Sequence, residues 1–151
     1  MSSAAIALGS NLGDRRAHLD FAAARLRALL GGLTISAYYD TEPVGAHSPQ
    51  PRYLNACAVG ETTVPARELL AALLRIELDA GRERPHPNAP RTLDLDLLFY
   101  GDTIIDEPGL IIPHPRLRER RFVLEPLASI APAMRDPISG RTVVELLAAL
   151  D

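Results

Sequence analysis

Lysine is absent from the chain: all 16 basic residues among its 151 are arginine. The absence removes Schiff-base and lysine-base catalysis, and with them a phosphate loop of the Walker type, which ends in Gly-Lys-Ser/Thr. A genome-wide codon preference for arginine explains it better than pressure at one site. Any phosphate this protein handles therefore falls to arginine, whose planar guanidinium matches phosphate oxygens in pairs. The single cysteine, Cys57, forms no internal disulfide, and no cysteine and histidine cluster has zinc-finger spacing. A reducing, cytoplasmic setting is expected.

No apolar run approaches the ~20 residues of a membrane span. The start, Met-Ser-Ser-Ala-Ala-Ile-Ala-Leu-Gly, lacks the basic opening and apolar length of a secretory signal. There is no excess of positive charge either: the net charge of -3 argues against a protein that coats nucleic acid. What is present is ordinary globular material, 47% hydrophobic and 23% charged. The length suits one domain, residues 1–151, with a real core.

Residues 4–8 read as a short buried strand ending at Gly9, and Asp14 is placed to cap a following helix. From Arg15 to Leu30, Leu19, Ala22, Ala23, Leu26, Leu29 and Leu30 recur at helical spacing, with Gly31-Gly32 as the stop. Leu33, Ile35, Ala37 and Tyr39 then alternate with Thr34, Ser36 and Tyr38 as in one half-buried strand. Asp40 to Arg52, with Pro43, Pro49 and Pro51, reads as a loop outside the sheet ladder. Residues 53–62 form a third strand.

Pro65 opens a second helix whose stripe is Leu69, Leu70, Leu73, Leu74 and Leu78, ended by Gly81. Residues 82–91 hold three prolines and three arginines and form no regular element. Strict alternation returns from Thr92 to Tyr100, followed by the Gly101-Asp102 turn and a short strand at Thr103 to Ile105. A helix from near Phe122 towards Ile130, and a last one after a Thr142 and Glu145 capping box, complete the chain. Strand, helix, strand, strand, helix, strand is the ferredoxin-like α+β order: an antiparallel sheet with helices on one face, the other face free for a ligand, and C-terminal helical additions.

Asp94 and Asp96 stand two apart on a strand, so both carboxylates share one face, about 7 Å apart at the backbone, while Leu93, Leu95 and Leu97 take the other. Alone, the pair fits the solvent face of a half-exposed strand better than a metal site. The arginines change the balance. Arg82, Arg84 and Arg91 precede the pair and Arg116, Arg118, Arg120 and Arg121 follow it, so an anion bridged by magnesium finds cations on both flanks. His114, between two prolines, reads equally as an oriented ligand and as an ordinary loop histidine. Tyr53 and Asn55 offer a ring and an amide to one surface, as fitting for a heterocycle as for a solvent face.

Five ordered blocks carry a resemblance: Gly9-Ser10-Asn11-Leu12-Gly13, Thr41-Glu42-Pro43-Val44-Gly45, Tyr53-Leu54-Asn55-Ala56, Arg91-Thr92-Leu93-Asp94-Leu95-Asp96, and His114-Pro115-Arg116 through Arg121-Phe122-Val123-Leu124. Over nearly its whole length the chain resembles the 6-hydroxymethyl-7,8-dihydropterin pyrophosphokinase family. The resemblance implies a monomeric, cytoplasmic folate-biosynthesis enzyme, without nucleic-acid or membrane partners. Its reaction would move the β,γ-diphosphate of ATP to the hydroxymethyl group of a reduced pterin, leaving AMP.

By the same resemblance Asp94 and Asp96 would hold two magnesium ions, and Arg82 and Arg91 would join them in catalysis. Arg82, Arg84, Arg91, His114 and Arg120 would contact ATP, and Thr41, Val44, Tyr53, Asn55 and Phe122 would line the pterin pocket. Two departures stand out: Asn88-Ala89 replaces the family's usual tryptophan and glycine, and Leu74 replaces a frequent glutamine. With that ring missing, Arg82 and Arg84 are expected to matter more than the loop's apolar contacts. Two other classes share the element order, an RNA-recognition module and a regulatory domain without chemistry. The first needs aromatics on its central strands for base stacking, and here Tyr53 stands alone.

Overall fold

The computed structural model describes residues 1–42, 52–81 and 92–150. Strand β1 (Ser2–Ser10) is the spine of a five-stranded sheet. Helix α1 (Arg15–Leu29) follows, its first turn capped by the Asp14 carboxylate, which accepts the Ala17 amide at 3.1 Å. Leu19, Ala22, Ala23 and Leu26 make its buried stripe, and the chain turns extended at Leu30. Next come β2 (Gly31–Ile35), β3 (Tyr39–Thr41) and β4 (Tyr53–Thr62), then α2 (Ala66–Asp79) behind Pro65, and β5 (Asp94–Tyr100). A hairpin, β6 (Ile105–Glu107) with β7 (Leu110–Ile112), leads through a single 3-10 turn, Leu117–Glu119, into α3 (Arg121–Ile130) and α4 (Val143–Ala148).

Every pairing in the main sheet is antiparallel, in the order β2-β4-β1-β5 with β3 also on β4. This is the ferredoxin-like arrangement expected from the element order. Alternation sorts the side chains into two layers. Ile6, Leu8, Leu54, Leu93, Leu95 and Leu97 pack with α1 and α2. Ala5, Ala7, Cys57, Leu98 and Phe99 meet Leu124, Leu127, Val143 and Leu146 on the opposite side.

The second face is therefore not left free for a ligand, contrary to the expectation above. The C-terminal helices cover its middle because the residues there are small or apolar, and the end beyond Cys57 and Ala7 lies clear of that cluster. Leu98 and Phe99 both join this layer because the ladder slips between Ala5 and Ile6. Ile6 pairs with Leu97 and Ala5 with Phe99, leaving Leu98 as the extra residue of a bulge.

Several local expectations are corrected. Leu33 to Tyr39 is two strands, since the buried residue after Ile35 is Ser36 and Ala37 is exposed. The Ser36 hydroxyl accepts the Cys57 amide at 2.9 Å, and that bond shifts the alternation by one position. Asp40 and Thr41 do enter the ladder, opposite Leu54 and Tyr53, because the prolines come only after them. On α2, Leu74 and Leu78 face solvent while Ile76 and Glu77 are buried, so the inward stripe lies a fraction of a turn from the one expected. The strand after Tyr100 starts at Ile105 and makes a hairpin. The proline-rich 82–91 segment lies outside the described residues.

Candidate active site

The site is written into the sheet register. Asn55 on β4 pairs with Gly9 on β1, and Gly9 pairs with Asp94 on β5, so the three share one cross-strand row and one face. One pair inward the row is Cys57, Ala7 and Asp96, where the cover of α3 begins. On the outer side of β4, Tyr39 stands opposite Asn55 and Thr41 opposite Tyr53. The Asn55 amide nitrogen donates to the Thr41 hydroxyl, leaving the amide oxygen of a buried side chain to read a ligand.

The opposite wall comes from the segment entering α3. The buried Cys57 thiol donates to the Val123 carbonyl at 3.4 Å, and burial pushes its pKa up, so it stays a neutral packing group. That contact sets the first turn of α3 on β4 and brings half-buried Phe122 to the margin of the cover. The Arg120 guanidinium lies 5.6 Å from the centre of the Phe122 ring, a cation–π distance. Arg120 thereby joins the aromatic side of the site to its anionic side.

His114 is tied to β5 through its backbone amide, which donates to the Leu98 carbonyl at 3.0 Å. Burial lowers its pKa below the usual histidine range; the positive charges of Arg120 and Arg116 lower it further, and Asp94 pulls the other way. The ring is thus neutral at pH 7, and its Nδ1 accepts the Arg116 amide at 3.2 Å. The proton belongs on Nε2, where it is available to an anionic ligand. This histidine thus feels the charges of both Asp94 and Arg120.

Asp94 and Asp96 are both half-buried on the second face while Leu93, Leu95 and Leu97 are buried on the first, as the alternation required. Among the described residues no group of three His, Cys, Asp or Glu side chains forms a complete metal cage. Two hard carboxylates suit magnesium completed by phosphate oxygens rather than a metal held by protein alone.

Of the candidate residues, Thr41, Tyr53, Asn55, Asp94, Asp96, His114, Arg120 and Phe122 gather at this end of the sheet or its margin. Val44, Arg82, Arg84 and Arg91 lie outside the described residues. Two of the flanking cations are engaged elsewhere: Arg118 forks onto buried Asp136 at 2.6 and 2.8 Å, and Arg116 pairs with Glu119 at 3.0 Å. Four functional positions escaped the sequence reading. Tyr39 and Gly9 became visible only through register. Glu77, buried on α2, accepts the Leu95 amide at 2.7 Å; its one signal was a carboxylate beside an apolar stripe. Arg52 bonds Asp40 at 2.8 Å and also Glu42, while Arg15 donates to the Arg52 carbonyl at 2.8 Å, so these charges brace β3 against β4 and α1.

An antiparallel α+β sandwich with an acidic pair, a neutral histidine and an arginine at one sheet end defines a phosphoryl-transfer enzyme as its class. The sequence profile of the family described as 7,8-dihydro-6-hydroxymethylpterin-pyrophosphokinase (HPPK) matches residues 5–132. The chain belongs to this family. The 2-amino-4-hydroxy-6-hydroxymethyldihydropteridine pyrophosphokinase of Synechocystis sp. is 43% identical over 151 residues, 98% of this chain and 76% of the relative. That of Pseudomonas aeruginosa is 42% identical over 146 residues, 95% of this chain and 89% of the relative. A crystal structure of Plasmodium falciparum HPPK-DHPS matches with a TM-score of 0.77 at 15% identity, over 98% of this chain and 44% of that longer one, a likeness of fold alone.

Proposed function

We propose that the chain transfers the β,γ-diphosphate of ATP to the hydroxymethyl oxygen of 6-hydroxymethyl-7,8-dihydropterin, a step of folate biosynthesis. The observation that carries this reading at the level of residues is the shared row of Asn55, Gly9 and Asp94. It sets a heterocycle-reading amide and an anion-handling carboxylate about 10 Å apart, two strand spacings, on one face.

The acceptor oxygen forms a bond to the β-phosphorus, and the bond from that phosphorus to the oxygen bridging the α-phosphate breaks. AMP leaves with the bridging oxygen, and the hydroxyl proton is released. Asn55, with Thr41 holding its amide, reads the pterin edge. Tyr53 and Phe122 offer faces for the flat ring. Two magnesium ions, held by Asp94 and Asp96, would neutralise the triphosphate and fix its oxygens. His114 donates from Nε2 to a phosphate oxygen, and Arg120 balances the charge that moves onto the leaving nucleotide. Arg82, Arg84 and Arg91 supply further cations, Arg82 and Arg91 at the reacting phosphates, and Val44 adds an apolar contact to the pterin. The family resemblance and the single buried cysteine support a cytoplasmic monomer as part of this reading.

The test is a product assay with ATP, magnesium and the hydroxymethyl pterin that resolves AMP from ADP. Pterin-dependent AMP is the expected result. ADP overturns the reading in favour of single-phosphoryl transfer, and no turnover by folded protein overturns it in favour of a binding domain.

A further inference from the structure

Between His114 and Arg120 the backbone has little of its own to hold it. The regular piece there is one 3-10 turn, Leu117–Glu119, whose hydrogen-bond geometry is poorer than that of an α-helix. Its bonds are long: the Leu117 amide reaches the His114 carbonyl at 3.4 Å, and the Glu119 and Arg120 amides reach the Arg116 and Leu117 carbonyls at 3.2 Å. Pro115, Arg116 and Glu119 are exposed. Leu117, buried in the layer under α3, and Arg118 tie the segment to the body of the protein. The Arg118 fork onto Asp136 runs from Nε to Oδ2 at 2.6 Å and from Nη2 to Oδ1 at 2.8 Å.

The receiving end is built for that fork. Asp136 comes 18 positions later, and its side chain is fully buried. Its oxygens also accept the Ile138 amide at 3.0 Å and the Ser139 hydroxyl at 2.7 Å, and its backbone closes the turn with Gly140 and Arg141. A carboxylate that served only to close a surface turn would stay in water; one taken out of water requires a partner charge. Its partner Arg118 stands in the short segment that begins at His114 and ends at Arg120, the two residues assigned above to the phosphates. The pterin side has a separate anchor, since Phe122 rides on the first turn of α3, which Cys57 and the buried Val123 and Leu124 hold on the sheet.

Resting on the diphosphoryl-transfer reading, we propose that Arg118 and Asp136 are positioning residues for the reaction: their fork fixes the turn that presents His114 and Arg120, so the bend after α3 sets how the phosphates are held. Loosening the fork lets those two groups drift from the phosphates while the ring-binding side stays in place. Lysine, a point charge without the planar fork, replaces Arg118 only in part.

The experiment compares wild type with Asp136→Asn, Arg118→Met and Arg118→Lys. Thr142→Ala is the control, because it removes the capping box of α4 in the same region and leaves the fork intact. Each variant is assayed for AMP release at a temperature where circular dichroism shows it folded, and its affinity for a non-hydrolysable ATP analogue with magnesium is titrated. Asp136→Asn and Arg118→Met are expected to lose about tenfold or more in both kcat and analogue affinity, a modest share of the roughly 100-fold that a misplacement of about 1 Å can cost. The KM for the pterin stays within roughly twofold, Arg118→Lys falls between Arg118→Met and wild type, and Thr142→Ala matches wild type. No loss, an equal rise in the pterin KM, or an equal loss in Thr142→Ala reduces the pair to a structural tie and overturns the proposal while the functional reading stands. A wild type that releases no AMP overturns both. Should Asp136→Asn not fold, the two Arg118 variants decide the matter, since they keep the Asp136 turn with its Ile138 and Ser139 bonds.

Discussion

The buried carboxylate of Glu77 accepts the backbone N–H of Leu95 at 2.7 Å, on the side of β5 that no strand of the main sheet covers. Leu95 stands between Asp94 and Asp96, so a helix residue on one face of the sheet steadies the two acids presented on the other. Replacing Glu77 with leucine removes the acceptor and leaves an amide unmet in the interior, at a cost of about 1–3 kcal/mol. Glu77→Gln keeps an acceptor oxygen and costs less. Denaturant unfolding of the two variants measures the difference, and equal losses would show that the carboxylate's charge, not its bond to Leu95, is what matters.

Asp96→Ala is expected to keep the fold, since the side chain is half-buried and projects from the strand towards the ligand face. Activity should fall by a factor of about 100 or more, the scale for losing a group that stabilises transferring charge. Circular dichroism paired with AMP release separates the two effects; an active variant would contradict the metal-holding role.

His114 is expected to titrate below its ordinary 6.5 in the free protein. Asp94→Asn removes the one charge that raises it, so the midpoint should move further down; Arg120→Ala should move it up. Proton NMR of the imidazole follows both shifts. Opposite signs would place the ring away from these two groups.

Arg118 and Asp136 form the best-defined ion pair of the C-terminal half. Burial alone would raise the Asp136 carboxyl, but the Arg118 fork, the Ser139 hydroxyl and the Ile138 amide outweigh it and hold the pKa at about 2. A depressed pKa contributes stability that is complete above the unfolded value near 3.8 and is lost as pH falls through about 2. The contribution is about 2 kcal/mol at neutral pH. Asp136→Asn should therefore lower stability at pH 7 and make little difference near pH 2, which urea unfolding at the two pH values checks.

Much of this was legible in the sequence. The acidic pair's common face follows from a period of two, and the stop at Gly81, with φ of 83°, follows from backbone freedom, whereas α1 ends already at an extended Leu30 and Gly31-Gly32 open β2. Thr142 and Glu145 form the capping box their spacing suggested. What could not be read depends on tertiary partners. Ser36 replaces Ala37 as the buried residue because Cys57, 21 positions later, donates to it. The true inner stripe of α2 depends on Leu95 needing an acceptor from Glu77. The place of Gly9 between Asn55 and Asp94 depends on which residues face each other across three strands, and a strand's own sequence does not record its register.

The bulge at Leu98 ties the sheet's one irregularity on β5 to its chemistry. Regular pairing would join Leu97 and Phe99 to β1 through an ordinary intervening residue, and the Leu98 carbonyl would have no special place. As the extra residue, Leu98 turns its side chain under α3 and its carbonyl to the His114 amide at 3.0 Å. Deleting that single residue would heal the ladder, keep Asp94 and Asp96 opposite Gly9 and Ala7, and set the histidine adrift. A shorter, more regular protein would result, still acidic at the right end, but without the anchor that ties His114 to β5.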